Sequence, residues 1–295
     1  MHRKPAANRR LAQWRVKWLI EHSTSHQLLW CIDSFVLRNP PLRQAPKRCT
    51  LFMEHFEKLR KDIWQLDWKF PPDSKLTNYN EFTPCREIFM AICDEIGKFF
   101  THYGFKYSRS KPKLEIKQGD LTLKVNFFSS GSNMPGSYVN LEINPDVYSN
   151  KLAQQDKDEE YDAKGFLLGS IDFTYKTQPE KPDGTVTVEL LDGTIADERV
   201  EDFKGARYIK NRNYNVYGLT EEKFIKVIQY IFAIAIEPFV NLTDRNYLIQ
   251  FINEAAYDRF GRDTERLKKY VHLTFPQPQD ILQAIDNKIN FFRQP

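Results

Sequence analysis

Clustered histidine and cysteine, glycine-rich phosphate loops and long apolar runs are all missing from this 295-residue chain, and each absence removes a class of function. The cysteines are Cys31, Cys49, Cys85 and Cys93; none forms a C-x-x-C pair and no histidine lies at zinc-finger spacing from them. Cys85 and Cys93 fall on one predicted helix, about 12 Å apart at its rise per residue, beyond the reach of a disulfide. Free thiols in a reducing, cytoplasmic compartment are therefore expected, and the Asn241-Leu242-Thr243 triplet is then a chance glycosylation signal.

The longest uncharged apolar stretch, residues 227–236, is far short of the roughly 20 residues that span a bilayer, so no membrane association is expected. No secretory apolar region follows the basic start. Beyond the N-terminal segment the histidines are His55, His102 and His272, and none sits in a signature with a Ser or Cys nucleophile. No dinucleotide fingerprint appears. We expect no cofactor and no bound metal.

Acidic residues are scarce in one place and abundant in another. Residues 1–50 hold ten Lys/Arg against Glu21 and Asp33, a balance of +8, while the whole chain carries +4. The remainder is therefore net acidic, at −4, and the basic character belongs to the N-terminal segment. Residues 1–52 read as a basic extension, with Leu11, Trp14 and Trp18 able to form a short amphipathic helix. A transit peptide, a nucleic-acid arm and a membrane-surface helix all compete for this segment. A poorly ordered extension, or a stretch upstream of a start at Met53, is preferred because domain-like patterning begins just after that residue.

From there the chain reads as a single α+β domain over residues 53–295. Phe56, Leu59, Ile63 and Leu66 predict a helix over 53–68, ended by Pro71 and Pro72. Thr83 and Pro84 suit an N-cap and first turn. Ile88, Ile92, Ile96, Phe99 and Tyr103 then recur every three or four residues, and Gly104 with Phe105 should close that helix. The period next switches to two, through Leu114 and Ile116, Leu121 to Phe127 at every second position, and Val139, Leu141 and Ile143. This predicts an antiparallel β-meander packed on the amphipathic helix, with one face buried and one wet, and an edge strand at Phe105-Lys106-Tyr107. Residues 151–205 hold fourteen acids against seven bases, a solvated insertion with a β-hairpin near residues 186–191. The C-terminal portion reads as helical. Thr220 caps a core helix that Pro238 stops, and Leu248–Ile249–Ile252 and Leu282–Ile285–Ile289–Phe292 mark two more helices.

Few patterns carry chemistry. Glu115 and Lys117 match the D/E-x-K strand pattern of metal-dependent nucleases, but the same spacing recurs at Asp67/Lys69, Asp73/Lys75, Glu221/Lys223 and Asp286/Lys288. The acidic run 156–162 places Tyr161 where a calcium loop needs glycine. Ser129-Ser130-Gly131-Ser132 leads into a strand, whereas a P-loop opens a helix. What remains is the wet sheet face, which should display Lys113, Lys117, Lys124, Asn126, Phe128, Tyr138, Asn140 and Asn144. Such a face suits a protein partner, a nucleic acid through base stacking, or packing beneath other elements.

Residues 82–143 resemble the uncharacterised bacterial family called domain of unknown function 4304. The likeness lies in an amphipathic helix ending in Gly104-Phe105-Lys106, a polar strand pair, and a strand ending in Asn126-Phe127. The chain departs from it in the acidic insertion and the larger helical C-terminal part. The resemblance implies an α+β domain of a bacterial cytoplasm, with an accessory or immunity-type role and no transferable catalytic residues. The expected function is non-catalytic binding of a protein partner. The alternative is a metal-dependent nuclease using Glu115 and Lys117, or a nucleic-acid binder using the sheet face.

Overall fold

The fold was analysed in a computed structural model that describes residues 47–129, 133–155, 165–167, 174–190, 195–203, 206–209, 214–254 and 264–293. It is α+β, with an antiparallel sheet laid on helices.

Helix α1 (Lys47–Asp62) begins ahead of the Met53 start read from the sequence and ends sooner, in a 3-10 turn at Ile63–Gln65. Leu66 turns extended, so Trp68 and Phe70 are not helical. The reason is packing: Trp68 stacks edge-on to Phe99 at 5.7 Å and lies 5.7 Å from Phe224, which also meets Phe70 at 5.3 Å. Helix α2 (Cys85–Thr101) is the predicted amphipathic helix, and its stripe of Ile88, Ile92, Ile96 and Phe99 is buried. Thr83 does not cap it. Its hydroxyl accepts from the Asn80 N–H at 3.0 Å, and Pro84 occupies the cap position with no side-chain bond. At the other end Gly104 takes φ +83°, a conformation costly to any side chain, and Phe105 folds back so that its N–H meets the Phe100 carbonyl at 3.4 Å.

Strands β1 (Lys106–Ser108), β2 (Lys113–Gln118), β3 (Leu121–Phe128) and β4 (Asn140–Ser149) form the predicted meander. In register, Lys113 faces Asn126, which faces Asn144; Glu115 faces Lys124, which faces Asp146. Leu114, Ile116, Leu121, Leu123, Val125, Phe127, Leu141, Ile143 and Val147 point into one continuous core shared with the helices. The β2–β3 turn is tied down by Asp120. Its carboxylate accepts from the Ser149 hydroxyl at 2.6 Å and from the Lys151 N–H at 3.0 Å, fastening the start of α3 (Asn150–Gln155).

The outer edge of β4 is shared. Strand β5 (Gly165–Leu167) pairs with Asp146–Tyr148, and β10 (Tyr214–Asn215) pairs with Asn140 and Leu141. Pro145, which has no N–H to give a ladder, falls in the gap between them. The acidic insertion holds more strand than the hairpin predicted. Strands β6 (Thr174–Thr177), β7 (Thr185–Leu190), β8 (Ile195–Phe203) and β9 (Ala206–Ile209) make a second antiparallel sheet in that order. Its small core is Val186 and Val188 with Ala196 against them.

Thr220 caps α4 (Glu221–Ile231) as predicted, accepting from the Lys223 N–H at 3.3 Å. Pro238 does not stop the helix. The chain widens into a π-helical segment, Phe232–Ile236, in which the Glu237 N–H reaches back to the Phe232 carbonyl. It then continues as α5 (Glu237–Asn241), with Pro238 in the first turn. The wide turn accommodates a proline ring that would clash inside a regular α-helix. The combined helix, Glu221–Asn241, is by length and composition long and apolar enough to cross a membrane, and 56% of its most apolar window is buried inside the protein. Phe224, Val227, Ile228, Ile231, Phe232 and Ile236 on it are core residues. Helices α6 (Arg245–Glu254), α7 (Thr264–Thr274) and α8 (Gln279–Arg293) complete the chain, and α7 had no separate sequence prediction.

Glu95 is the buried acid of this core. It accepts from Trp68 Nε1–H at 3.2 Å, and burial pushes its carboxyl up, with Lys98 and the Trp68 bond pulling back. The folded state therefore holds the proton more tightly than the unfolded chain, so this group's contribution weakens as pH rises above its ordinary 4.5. Glu95→Gln keeps an acceptor for Trp68 and removes the charge. Urea unfolding is expected to give a higher midpoint for the variant at pH 7 and matching midpoints at pH 4. A lower midpoint at pH 7 would show that the carboxylate is stabilising as an ion.

Candidate functional site

The wet face forms, but its composition differs from the one read residue by residue. Lys113, Lys124, Asn126, Tyr138 and Asn144 are half-buried, and Lys117 and Phe128 are exposed. Asn140 is the exception, at 0% exposure. The β3–β4 connection folds back over it. Its N–H donates to Asn133 Oδ1 at 2.7 Å, its Oδ1 receives the Tyr138 hydroxyl at 3.4 Å, and its Nδ2 donates to Glu142 at 3.0 Å. Buried and held by these bonds, Asn140 serves to fix a loop.

Three carboxylates share the face with the lysines. Glu115, Glu142 and Asp146 stand among Lys106, Lys111, Lys113, Lys117 and Lys124, so it is mixed in charge. On the β4 side the polar groups satisfy one another. Asn126 Nδ2 donates to Asp146 at 2.7 Å, and the Lys124 ammonium sits 3.9 Å from the centre of the Tyr148 ring. The register separates the acids: Lys124 stands between Glu115 and Asp146, which lie two strand spacings, roughly 10 Å, apart. Among the described residues no group of three or more His, Cys, Asp or Glu could hold a metal ion. Glu115 and Lys117 do share a face of β2, with Lys124, and not a second carboxylate, directly across from Glu115 on β3.

The feature that sequence reasoning missed lies at one end of the sheet. Of the exposed large apolar side chains, Phe82 is 82%, Met134 56% and Phe128 50% accessible. They stand on two loops that contact each other. Met134 bridges to Tyr138, and Asn133 Nδ2 donates to Ser129 Oγ at 2.8 Å, closing the connection that begins at Phe128. Gly136, at φ +80°, lies so near Glu81 that a Cβ there would approach the Glu81 Cβ to 3.1 Å. That contact seats the Phe82 loop against the Met134 loop. Three residues before Phe82, Tyr79 packs edge to face with Tyr217 at 5.0 Å, and its hydroxyl accepts from the Gly218 N–H, which ties the start of the Phe82 loop to the segment ahead of α4.

No protein-family model, curated protein or solved structure matches this chain. Function is therefore read from geometry. The cysteines that can be placed are free: Cys93 is buried, and burial pushes its thiol well up, out of the range of a reactive thiolate. Cys85 is half-buried, with its sulfur 4.0 Å from the Tyr138 carbonyl, and serves the same loop contact. The acidic run 156–162 and Ser130–Gly131–Ser132 lie outside the described residues.

Proposed function

We propose that this protein binds a protein partner non-catalytically, through the apolar patch of Phe82, Phe128 and Met134 at the β3–β4 end of the sheet. The observation that carries the reading is the grouping of these three side chains on two loops that contact each other. Exposed phenylalanine costs solubility, and large apolar side chains held out on loops anchored to each other are what a docking surface requires. An accessory or immunity-type role in a bacterial cytoplasm, as the family resemblance implies, fits such a module. The mixed charge of the sheet face supports a protein over a nucleic acid, since phosphates would meet Glu115, Glu142 and Asp146.

The test uses the triple variant Phe82→Ser, Phe128→Ser, Met134→Ser. Because these side chains are exposed, its melting temperature should match the wild type. A stoichiometric partner co-purified from the native host with the wild type should be lost from the variant, with affinity reduced by roughly a hundredfold or more. Retention of that partner at unchanged affinity would overturn the reading.

A further inference from the structure

We infer that the partner presents an extended acidic segment with a large apolar anchor, and that this segment lies along β2 beside the apolar patch. The inference deepens the proposed function and rests on it. Lys111, Lys113 and Lys117 occupy alternate positions of one chain stretch and so share the wet face, with Lys106 opposite Glu115 on the edge strand. None of these four lysines pairs with an anion among the described residues, whereas neighbouring Arg109 is held by Asp94 at 2.9 Å. Across residues 105–118 the cations are Lys106, Arg109, Lys111, Lys113 and Lys117, against Glu115 alone. The carboxylates of the wet face on the far side belong to β4, where Asp146 is engaged by Asn126 and Glu142 by Asn140.

The strip of unpaired charge reaches the apolar patch. The β2–β3 ladder continues one residue beyond the strand, with the Phe127 N–H donating to the Pro112 carbonyl at 2.9 Å. Pairing at Lys113–Asn126 and at Pro112–Phe127 sets Lys111 across from Phe128. From Lys111 to Lys117 the strand rises roughly 20 Å, the length of about six extended residues. A segment with an aromatic or aliphatic residue over Phe128, Phe82 and Met134, Asp or Glu over Lys111, Lys113 and Lys117, and a neutral residue over Glu115 sets each carboxylate against a lysine, a spacing that a phosphate backbone charged at every step does not offer. Carboxylate–ammonium contacts would there replace water on lysines that form no ion pair among the described residues, setting both orientation and encounter rate.

The experiment is a selection of displayed twelve-residue peptides on the immobilised full chain, followed by titration of the enriched peptides. Peptides that require the patch (lost on the Phe82→Ser, Phe128→Ser, Met134→Ser variant) should carry Asp or Glu beside an aromatic or branched aliphatic residue. Their affinity should fall roughly tenfold for Lys111→Glu/Lys113→Glu and markedly in 300 mM salt. Lys-for-Glu versions of the peptides should recover binding on that charge-reversed variant. Enriched peptides that need the patch but are neutral or basic, or that ignore the lysine reversal, would overturn the acidic partner and leave patch docking intact. Enrichment of no patch-dependent peptide would remove both. A single-stranded DNA or RNA twelve-mer that binds more tightly than any peptide and is lost on lysine reversal would reassign the strip to phosphate and overturn the inference.

Discussion

Phe224→Ala is expected to cost about 3–5 kcal/mol in denaturant unfolding. Phe224 is wholly buried on α4 and contacts Trp68 and Phe70, the extended segment that links α1 to α2. Through Trp68 the same cluster reaches Phe99 on α2 and the carboxylate of Glu95. Truncation leaves a cavity that three separately anchored elements cannot collapse to fill, because Trp68 is held by its indole N–H and Phe70 by its own N–H to Glu221 at 2.9 Å. Phe224→Leu keeps most of the volume and should lose well under half as much. A loss below about 1 kcal/mol for the alanine variant would mean that the aromatic cluster is not closely packed.

Gly97→Ala is expected to destabilise by about 1–3 kcal/mol although it adds one methyl group to a helix, where alanine is otherwise the better residue. A Cβ at this position would come within 2.4 Å, 2.6 Å and 2.7 Å of three Tyr107 ring carbons. The ring has little freedom to retreat. Its backbone pairs with Leu114 in the sheet, and its hydroxyl donates to Asp94 at 2.9 Å, one turn earlier on the same helix face. Asp94 is itself gripped by Arg109. A double-mutant cycle with Tyr107→Ala separates the clash from any intrinsic effect. On the Tyr107→Ala background, Gly97→Ala should become neutral or stabilising. An equal penalty on both backgrounds would show that the crowding lies elsewhere.

Elements whose signal is local were legible in the sequence. The two-residue rhythm of Leu121, Leu123, Val125 and Phe127 reports a half-buried strand directly, and Gly104 followed by Phe105 reports a helix end in two residues. The misreadings share another cause. Thr83 has the chemistry of a cap, but Asn80 competes for its hydroxyl. Pro238 breaks a regular helix, yet a π turn changes the spacing by one residue and leaves no periodic mark. Asn140 alternates like a wet residue, and only a loop closing from Asn133 buries it. The site was half visible. Phe128 stood out as an aromatic on a polar face, while Phe82 and Met134 gain meaning only when Gly136 draws their loops together. The acids of the face were present in the same alternation and weigh against a purely basic platform. Lys111, just outside the regular alternation, was missed because Pro112 interrupts it.

The shared outer edge of β4 has a consequence for biogenesis. Asn140 and Leu141 receive their neighbour only from Tyr214 and Asn215, more than seventy positions later in the chain. A ribosome therefore releases the meander with that flank bare, and the backbone groups there stay open to pairing with a neighbouring nascent chain until the intervening acidic stretch has emerged. The stretch that emerges during that interval, residues 151–205, is net negative, so two nascent chains at this stage repel each other there.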